Sequence, residues 1–326
     1  MTTATKMGQR IIRIANRLIS TMVLVAILLL LAFGSYALWD SGQVHNAASH
    51  RNYERYNPTL ENNTASFAEL QAINPDVFAW LTIFGTNIDY PVVQGQDNLR
   101  YVNTNANGQH SLSGAIFLDA NNGPGFSDFS SILYGHHMER QAMFGEIGLF
   151  AGEDYFNARR YGMLYENGRE YGLTFFAFVH ADAYDTAVFR TKIEGPADQQ
   201  AYLDLLRQLA IHTREEISVT PGDRIVLLST CSDSSTNGRD ILIGKITYET
   251  QSNPFGIEEE ADHANPIPSI DLLPGQWSQA VLWVKMILIV LLIPLIVWLV
   301  MLICINRKCS AVEAPFQAKK EDDDHA

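Results

Sequence analysis

Cysteine is scarce in this chain: 326 residues carry three, at positions 231, 304 and 309. Basic charge is scarce too. Between residues 40 and 277 there are 31 acidic residues against 14 basic ones, a net charge of −17. A surface of that sign repels phosphate backbones, so no nucleic acid is expected among the partners. Internal repeats are lacking. Metal-ligand spacings are lacking as well: His136 and His137 are adjacent rather than one helical turn apart, and only one cysteine, Cys231, lies outside the carboxy-terminal region. That pattern argues against a zinc centre, and neither a metal nor a cofactor is expected.

Two stretches lack charge altogether. Ile19 to Trp39 has no Asp, Glu, Lys or Arg, and neither has Met286 to Ile305. About 20 residues of helix cross about 30 Å of hydrocarbon, so both read as membrane spans, and Pro294 is tolerable within one. Lys6, Arg10, Arg13 and Arg17 precede the first span, and Arg307 and Lys308 follow the second. Basic flanks stay cytoplasmic, which places both termini inside and the intervening chain outside. The apolar core of the first span is longer than that of a cleaved signal peptide, so it is read as an uncleaved anchor. The expected order is a cytoplasmic N-terminus (1–18), a transmembrane anchor (19–39), a linker or loose helical segment (40–64) and an external domain (65–252). An acidic stalk (253–279), a second transmembrane helix (280–305) and a cytoplasmic tail (306–326) follow. Cys231 is then the one external cysteine. It has no intramolecular partner, and such a thiol is either intermolecular or reactive. Cys309 sits where palmitoylation is possible, but the sequence gives no reason to invoke it.

The external part reads mainly as strand. Thr64 to Asn74 carries a helical stripe of Phe67, Leu70 and Ile73, after which VFAWLTI and NIDYPVVQ show the β-branched and aromatic content of strands around a Gly85-Thr86-Asn87 turn. Further strands are expected at Ala115–Leu118, Ser131–Tyr134, Tyr161–Tyr165, Glu170–Val179, Arg224–Thr230 and Asp240–Tyr248. Helices are expected around Met143–Phe150, over Glu153–Arg160, and after Pro196, where Tyr202, Leu205, Leu206 and Leu209 follow the i, i+3, i+4, i+7 pattern. About eight short strands with a few inserted helices predict a closed or nearly closed β-barrel.

One constellation carries chemistry. Cys231 ends a strand in LLSTC, and Arg239 opens the next strand across a short loop. A thiolate attacks carbonyls, and a nearby cation favours the thiolate. A guanidinium can hold an oxyanion but cannot act as a base. The proton carrier must come from elsewhere, and YGHHM places His136 and His137 just past the strand ending at Tyr134. Gly135 is expected to permit a sharp turn there. Histidine suits proton transfer near neutral pH. The other external histidines (His45, His50, His110, His180, His212 and His263) lack such a turn and are read as surface residues. Each group also has a structural reading: Cys231 as a small buried side chain, Arg239 as half of an ion pair, the histidines as a polar loop.

LSTC with an arginine eight residues on, together with YGHHM upstream, resembles the sortases, the cysteine transpeptidases of Gram-positive cell surfaces. INPDVFAWLTIFGTNIDYPVVQGQDN, GAIFLD, YGHHMERQAMFGEIGLF and the helix inserted after Pro196 resemble class B within that family. The resemblance spans Ala65 to Thr250, although the first residue of the cysteine motif is Leu227 where threonine is usual. It implies a sortase-like eight-stranded β-barrel with inserted helices, here flanked by two transmembrane helices. It implies Cys231 as nucleophile, His136 as proton donor and acceptor, and Arg239 as holder of the substrate carbonyl and oxyanion. Ser229 and Thr230 are candidate substrate contacts, and Asp119 or Asp233 a candidate orienter of His136. The implied partners are a secreted protein with a carboxy-terminal sorting signal, an amine acceptor (a cell-wall precursor or a pilin lysine) and the membrane. The second span resembles class C enzymes instead. Those often carry a lid with an Asp-Pro-aromatic tripeptide, which Asn57-Pro58-Thr59 does not match, so no such lid is expected. Two other readings of the same residues are a membrane-tethered cysteine peptidase and a non-enzymatic, membrane-anchored binding barrel.

Overall fold

A computed structural model describes residues 3–59, 64–232 and 237–255. The second apolar stretch, Cys304, Cys309, His263, Asp233 and nearly all of the acidic stalk lie outside the described residues.

The chain opens with helix α1 (Thr3–Ala48), 46 residues long. Its part from Ile11 to Ala48 is long and apolar enough to cross a membrane. The expected linker or loose segment after it is packed instead. Helix α1 runs to Ala48, two 3-10 turns follow at His50–Asn52 and Glu54–Tyr56, and Ala48, Tyr53 and Tyr56 join the core. Asn57 bonds Asp89 Oδ2 at 2.9 Å, so Asn57-Pro58-Thr59 is tied to the start of the second strand. Helix α2 (Thr64–Ile73) then sets Phe67 edge-on to Trp80 and Tyr165.

The strands are β1 (Val77–Ile83), β2 (Asp89–Val93), β3 (Ile116–Leu118), β4 (Ser130–Tyr134), β5 (Tyr161–Glu166), β6 (Arg169–Asp182), β7 (Ala210–Thr213), β8 (Arg224–Cys231) and β9 (Gly238–Thr247). Their order is β5-β1-β2-β3-β4-β8-β9-β6-β7, and β5 also pairs with β6. That pairing closes eight strands into a barrel and leaves β7 as an extra strand on the outside edge of β6. The β2–β3 and β4–β8 pairs are parallel, and the rest are antiparallel. The sequence missed β7 because four residues directly after a helix give no alternation to read. The helix expected around Met143–Phe150 is a 3-10 turn, Ile147–Ala151; the short helix α3 (Glu153–Ala158) follows it.

Helix α4 (Pro196–Leu209) starts with proline in its first turn, where no N–H is missed. It buries Tyr202, Leu203 and Leu206. These pack with Ile225, Leu227, Ile241, Ile243 and Val179 in one core cluster. Val226, Leu228, Leu242 and Phe178 belong to another, with Phe144 and Phe150. Successive strand side chains point to opposite faces. The cluster beneath α4 is therefore on the outer face of the barrel wall, and the other is on its inner face. Burial on both sides is why β8 reads as an almost unbroken apolar run.

Candidate active site

The alternation fixed by the two cores continues to the strand ends. On β8, Ile225 and Leu227 face outward, so Ser229 and Cys231 do too. Cys231 and Arg239 are direct register partners, and antiparallel partners stand about 4.5–5.5 Å apart at Cα. On the other flank of β8, Tyr134 of β4 is level with Ser229. The Gly135 N–H then donates to Ser229 O at 3.2 Å, which extends the ladder one step. Two residues beyond Tyr134 and two beyond Ser229, His136 and Cys231 are level. His136, Cys231 and Arg239 thus form a row across three neighbouring strands on one face of the wall.

The three line a single cleft of about 340 Å³. Cys231 is exposed; His136 and Arg239 are half-buried. The His136 ring is held by Nε2, 2.8 Å from Val102 O. A carbonyl only accepts, so Nε2 carries a hydrogen and Nδ1 is left as the atom that can gain or lose a proton. Arg239 Nη1 donates to Gly238 O at 3.0 Å, which leaves most of its donor fork unused among the described residues.

Gly135 corrects one expectation. Its φ is not in the left-handed region, so the turn itself does not require glycine. Space does: a Cβ there would stand 2.6 Å from Ile116 Cδ1 and 2.7 Å from the Phe144 ring. His137, the next residue after His136, lines a different cavity on the inner side. His180 is also not a surface residue: it is half-buried, and Asp240 Oδ1 is 2.9 Å from its Nδ1.

Asp119 does not orient His136. Its carboxylate accepts from Asn98 Nδ2 at 2.9 Å, from Asn121 N at 2.8 Å and from Tyr134 OH at 3.0 Å. Its role is to fix Tyr134 in the cleft wall, where burial first and the Asp119 charge second push the phenol well above its usual pKa and keep it neutral. Phe189 stacks on Tyr134 with 28° between the planes. Tyr134, Phe189 and Asn98 all line the cleft, and sequence reasoning named none of them as site residues. Tyr134 is two residues before His136 on the same face, which is the signal that could have found it. Ser229 and Thr230 both border the cleft, and both hydroxyls are buried without a hydrogen-bond partner among the described residues. Alternation keeps Ser229 on the Cys231 side and turns the Thr230 side chain inward.

A family model described as the sortase domain matches residues 81–247. The chain is 33% identical over 181 residues to sortase B of Listeria monocytogenes, covering 55% of this chain and 72% of that protein. Among solved structures, sortase B from the type II pilus of Streptococcus pneumoniae superposes with a TM-score of 0.50 at 48% identity, over 56% of this chain and 99% of that one. Staphylococcus aureus sortase B does so with a TM-score of 0.56 at 27% identity, over 64% and 100%.

Proposed function

The chain belongs to the sortase family of cysteine transpeptidases, with class B members as its relatives, and on that premise we propose that Cys231, His136 and Arg239 carry the transfer. The observation behind this is the row of the three groups on one face of one cleft. Cys231 gives its proton to His136 Nδ1, and the thiolate attacks the scissile carbonyl of a sorting signal. Arg239 donates to the oxygen as it becomes an oxyanion. The C–N bond breaks, the imidazolium protonates the leaving amine, and a thioester remains on Cys231. An acceptor amine, as its free base, attacks that thioester. Its nitrogen loses a proton to Nδ1 as the C–S bond breaks, and the proton returns to the sulfur. One amide bond is exchanged for another. Ser229, facing the same way as Cys231 with an unmet hydroxyl, contacts the main chain of the signal; Thr230 contributes through its backbone.

The substrates are a secreted protein ending in a sorting signal and an amine from a cell-wall precursor or a pilin. The 48% identity to a pilus sortase favours the pilin. Helix α1, with Lys6, Arg10, Arg13 and Arg17 on its N-terminal side, anchors the barrel outside the membrane with the N-terminus inside. The uncharged stretch Met286–Ile305 returns the chain to the cytoplasm. The peptidase and binding-barrel readings are not favoured by family membership.

The test begins with mass spectrometry of surface proteins lost from a strain carrying Cys231→Ala, reading their carboxy-terminal ends. A peptide of that sequence is then incubated with the full-length enzyme and an amine. Amide product that grows with amine concentration supports transfer. Acid alone at high amine concentration would leave a peptidase, and a fully active Cys231→Ala enzyme would remove the nucleophile.

A further inference from the structure

The strand ends carry a second cavity, of about 400 Å³, on the side of the wall opposite the cleft. The residue after each member of the row lines it: Ser232 after Cys231, His137 after His136, Asp240 after Arg239. Cleft and cavity are therefore the two faces of one rim, a single residue apart at Cys231–Ser232.

Its chemistry is specific. Asp240 is only 9% exposed. Its Oδ1 is 2.9 Å from His180 Nδ1, whereas its Oδ2 has no hydrogen-bond partner among the described residues. A Cβ at Gly148 would stand 3.0 Å from that oxygen, so glycine leaves the approach to it open. His180 engages Oδ1 only, so Oδ2 is the carboxylate oxygen left for a cation or donor that enters the cavity. Around the polar end the walls are apolar, with Phe178, Ala151, Leu149 and Ile211. Leu149 and Ile211 are 42% and 52% exposed at the mouth. A ligand that satisfies both parts has a compact cationic head and an aliphatic stem, as a lysine-type side chain does. The ammonium of a glycine lacks the stem that would cover Leu149 and Ile211.

We propose that this barrel-mouth cavity is the acceptor site, holding an alkylammonium side chain with its stem between Leu149 and Ile211 and its nitrogen on Asp240 Oδ2. From there the amine, having lost one proton to solvent, crosses the rim at Ser232 to the thioester. The proposal rests on the transpeptidase reading above and selects a side-chain amine as the acceptor class.

The test uses the full-length Cys231→Ala protein in detergent micelles, with empty micelles as control. Nα-acetyl-lysine N-methylamide and its uncharged analogue Nα-acetyl-norleucine N-methylamide are titrated by ligand-observed NMR. The lysine compound is expected to bind at least about tenfold more tightly. Asp240→Asn is expected to erase that preference. Ile211→Lys, a change at a position 52% exposed and checked for an unchanged melting temperature, is expected to weaken lysine binding at least about tenfold by placing a tethered ammonium at the mouth. Equal binding of the two compounds, or unchanged lysine binding in both variants, would overturn the assignment. A parallel assay on the active enzyme separates the two readings. If Cys231 never forms an acyl-enzyme with the sorting peptide, the transpeptidase reading falls. If the acyl-enzyme forms and the lysine compound resolves it, but Asp240→Asn needs the same half-saturating amine concentration, only the cavity assignment falls.

Discussion

Two adjacent histidines, identical in chemistry, stand on opposite sides of a barrel wall. His136 follows the outward parity of Tyr134 and enters the cleft; His137 takes the inward parity of Gly135. The difference is one residue of strand period, and it has a measurable consequence. His136→Ala is expected to lower kcat for thioester formation by about 10²–10⁴, the usual contribution of a positioned proton carrier. His137→Ala is expected to lose far less in the same single-turnover assay, and a reversed order would show that the wrong neighbour was chosen. Arg239 offers a second test. Arg239→Ala is expected to lower kcat by about 10²–10³, as when one oxyanion donor is removed. Arg239→Lys is expected to recover only part of it, because an ammonium keeps the charge without the planar fork. Steady-state kinetics on the sorting peptide separates the two, and full activity in Arg239→Lys would reduce the residue to a point charge.

The elements that position these residues were legible to different degrees. Strands β1, β2, β8 and β9 stood out because β-branched and aromatic runs are bounded by turn residues. Helix α4 stood out through its 3.6-residue period. What the sequence could not display was parity relative to the core. Both faces of β8 are apolar, so the pattern that usually tells inside from outside is missing, and only α4 packing on Ile225 and Leu227 resolves it. For the same reason Cys231, His136 and Arg239 could be singled out only as residue types and motifs, whereas their alignment in one row, and the second cavity behind it, needed the register. The Asp119 network escaped because it depends on Asn98, 21 residues away in sequence. Gly135 belongs to this scale as well. Gly135→Ala would force a methyl between Ile116 and Phe144, and overpacking of that kind costs about 1–3 kcal/mol. A lower melting temperature is expected, with loss of kcat from a displaced His136. An unaffected Gly135→Ala enzyme would mean that the β4 end has slack enough to spare.

Across the whole molecule, the long apolar helix α1 is continuous with the barrel fold. Ala48 at its end is fully buried, and Tyr90 OH donates to Ala48 O at 2.9 Å. The same hydroxyl accepts from Met143 N at 3.0 Å. Met143 bridges back to His137, and Phe144 N donates to His136 O at 3.0 Å. Helix α1 thus ends on the loop that carries His136, so the cleft is held at a set attitude to it. Tyr53 and Tyr56, 5% and 3% exposed, seal this junction. Truncating a buried aromatic side chain costs about 3–5 kcal/mol, and each kcal/mol lowers the melting temperature of a domain of this size by about 2–4 °C. The double change Tyr53→Ala, Tyr56→Ala in the full-length chain is therefore expected to lower the melting temperature by more than about 10 °C and to reduce turnover by loosening the His136 loop. A flexible tether would predict no change in either quantity, since residues outside the cooperative core contribute nothing to its melting. Thermal unfolding of the parent and doubly substituted proteins, followed by the acyl-enzyme assay at a temperature where both are folded, decides between a tether and a built-in base.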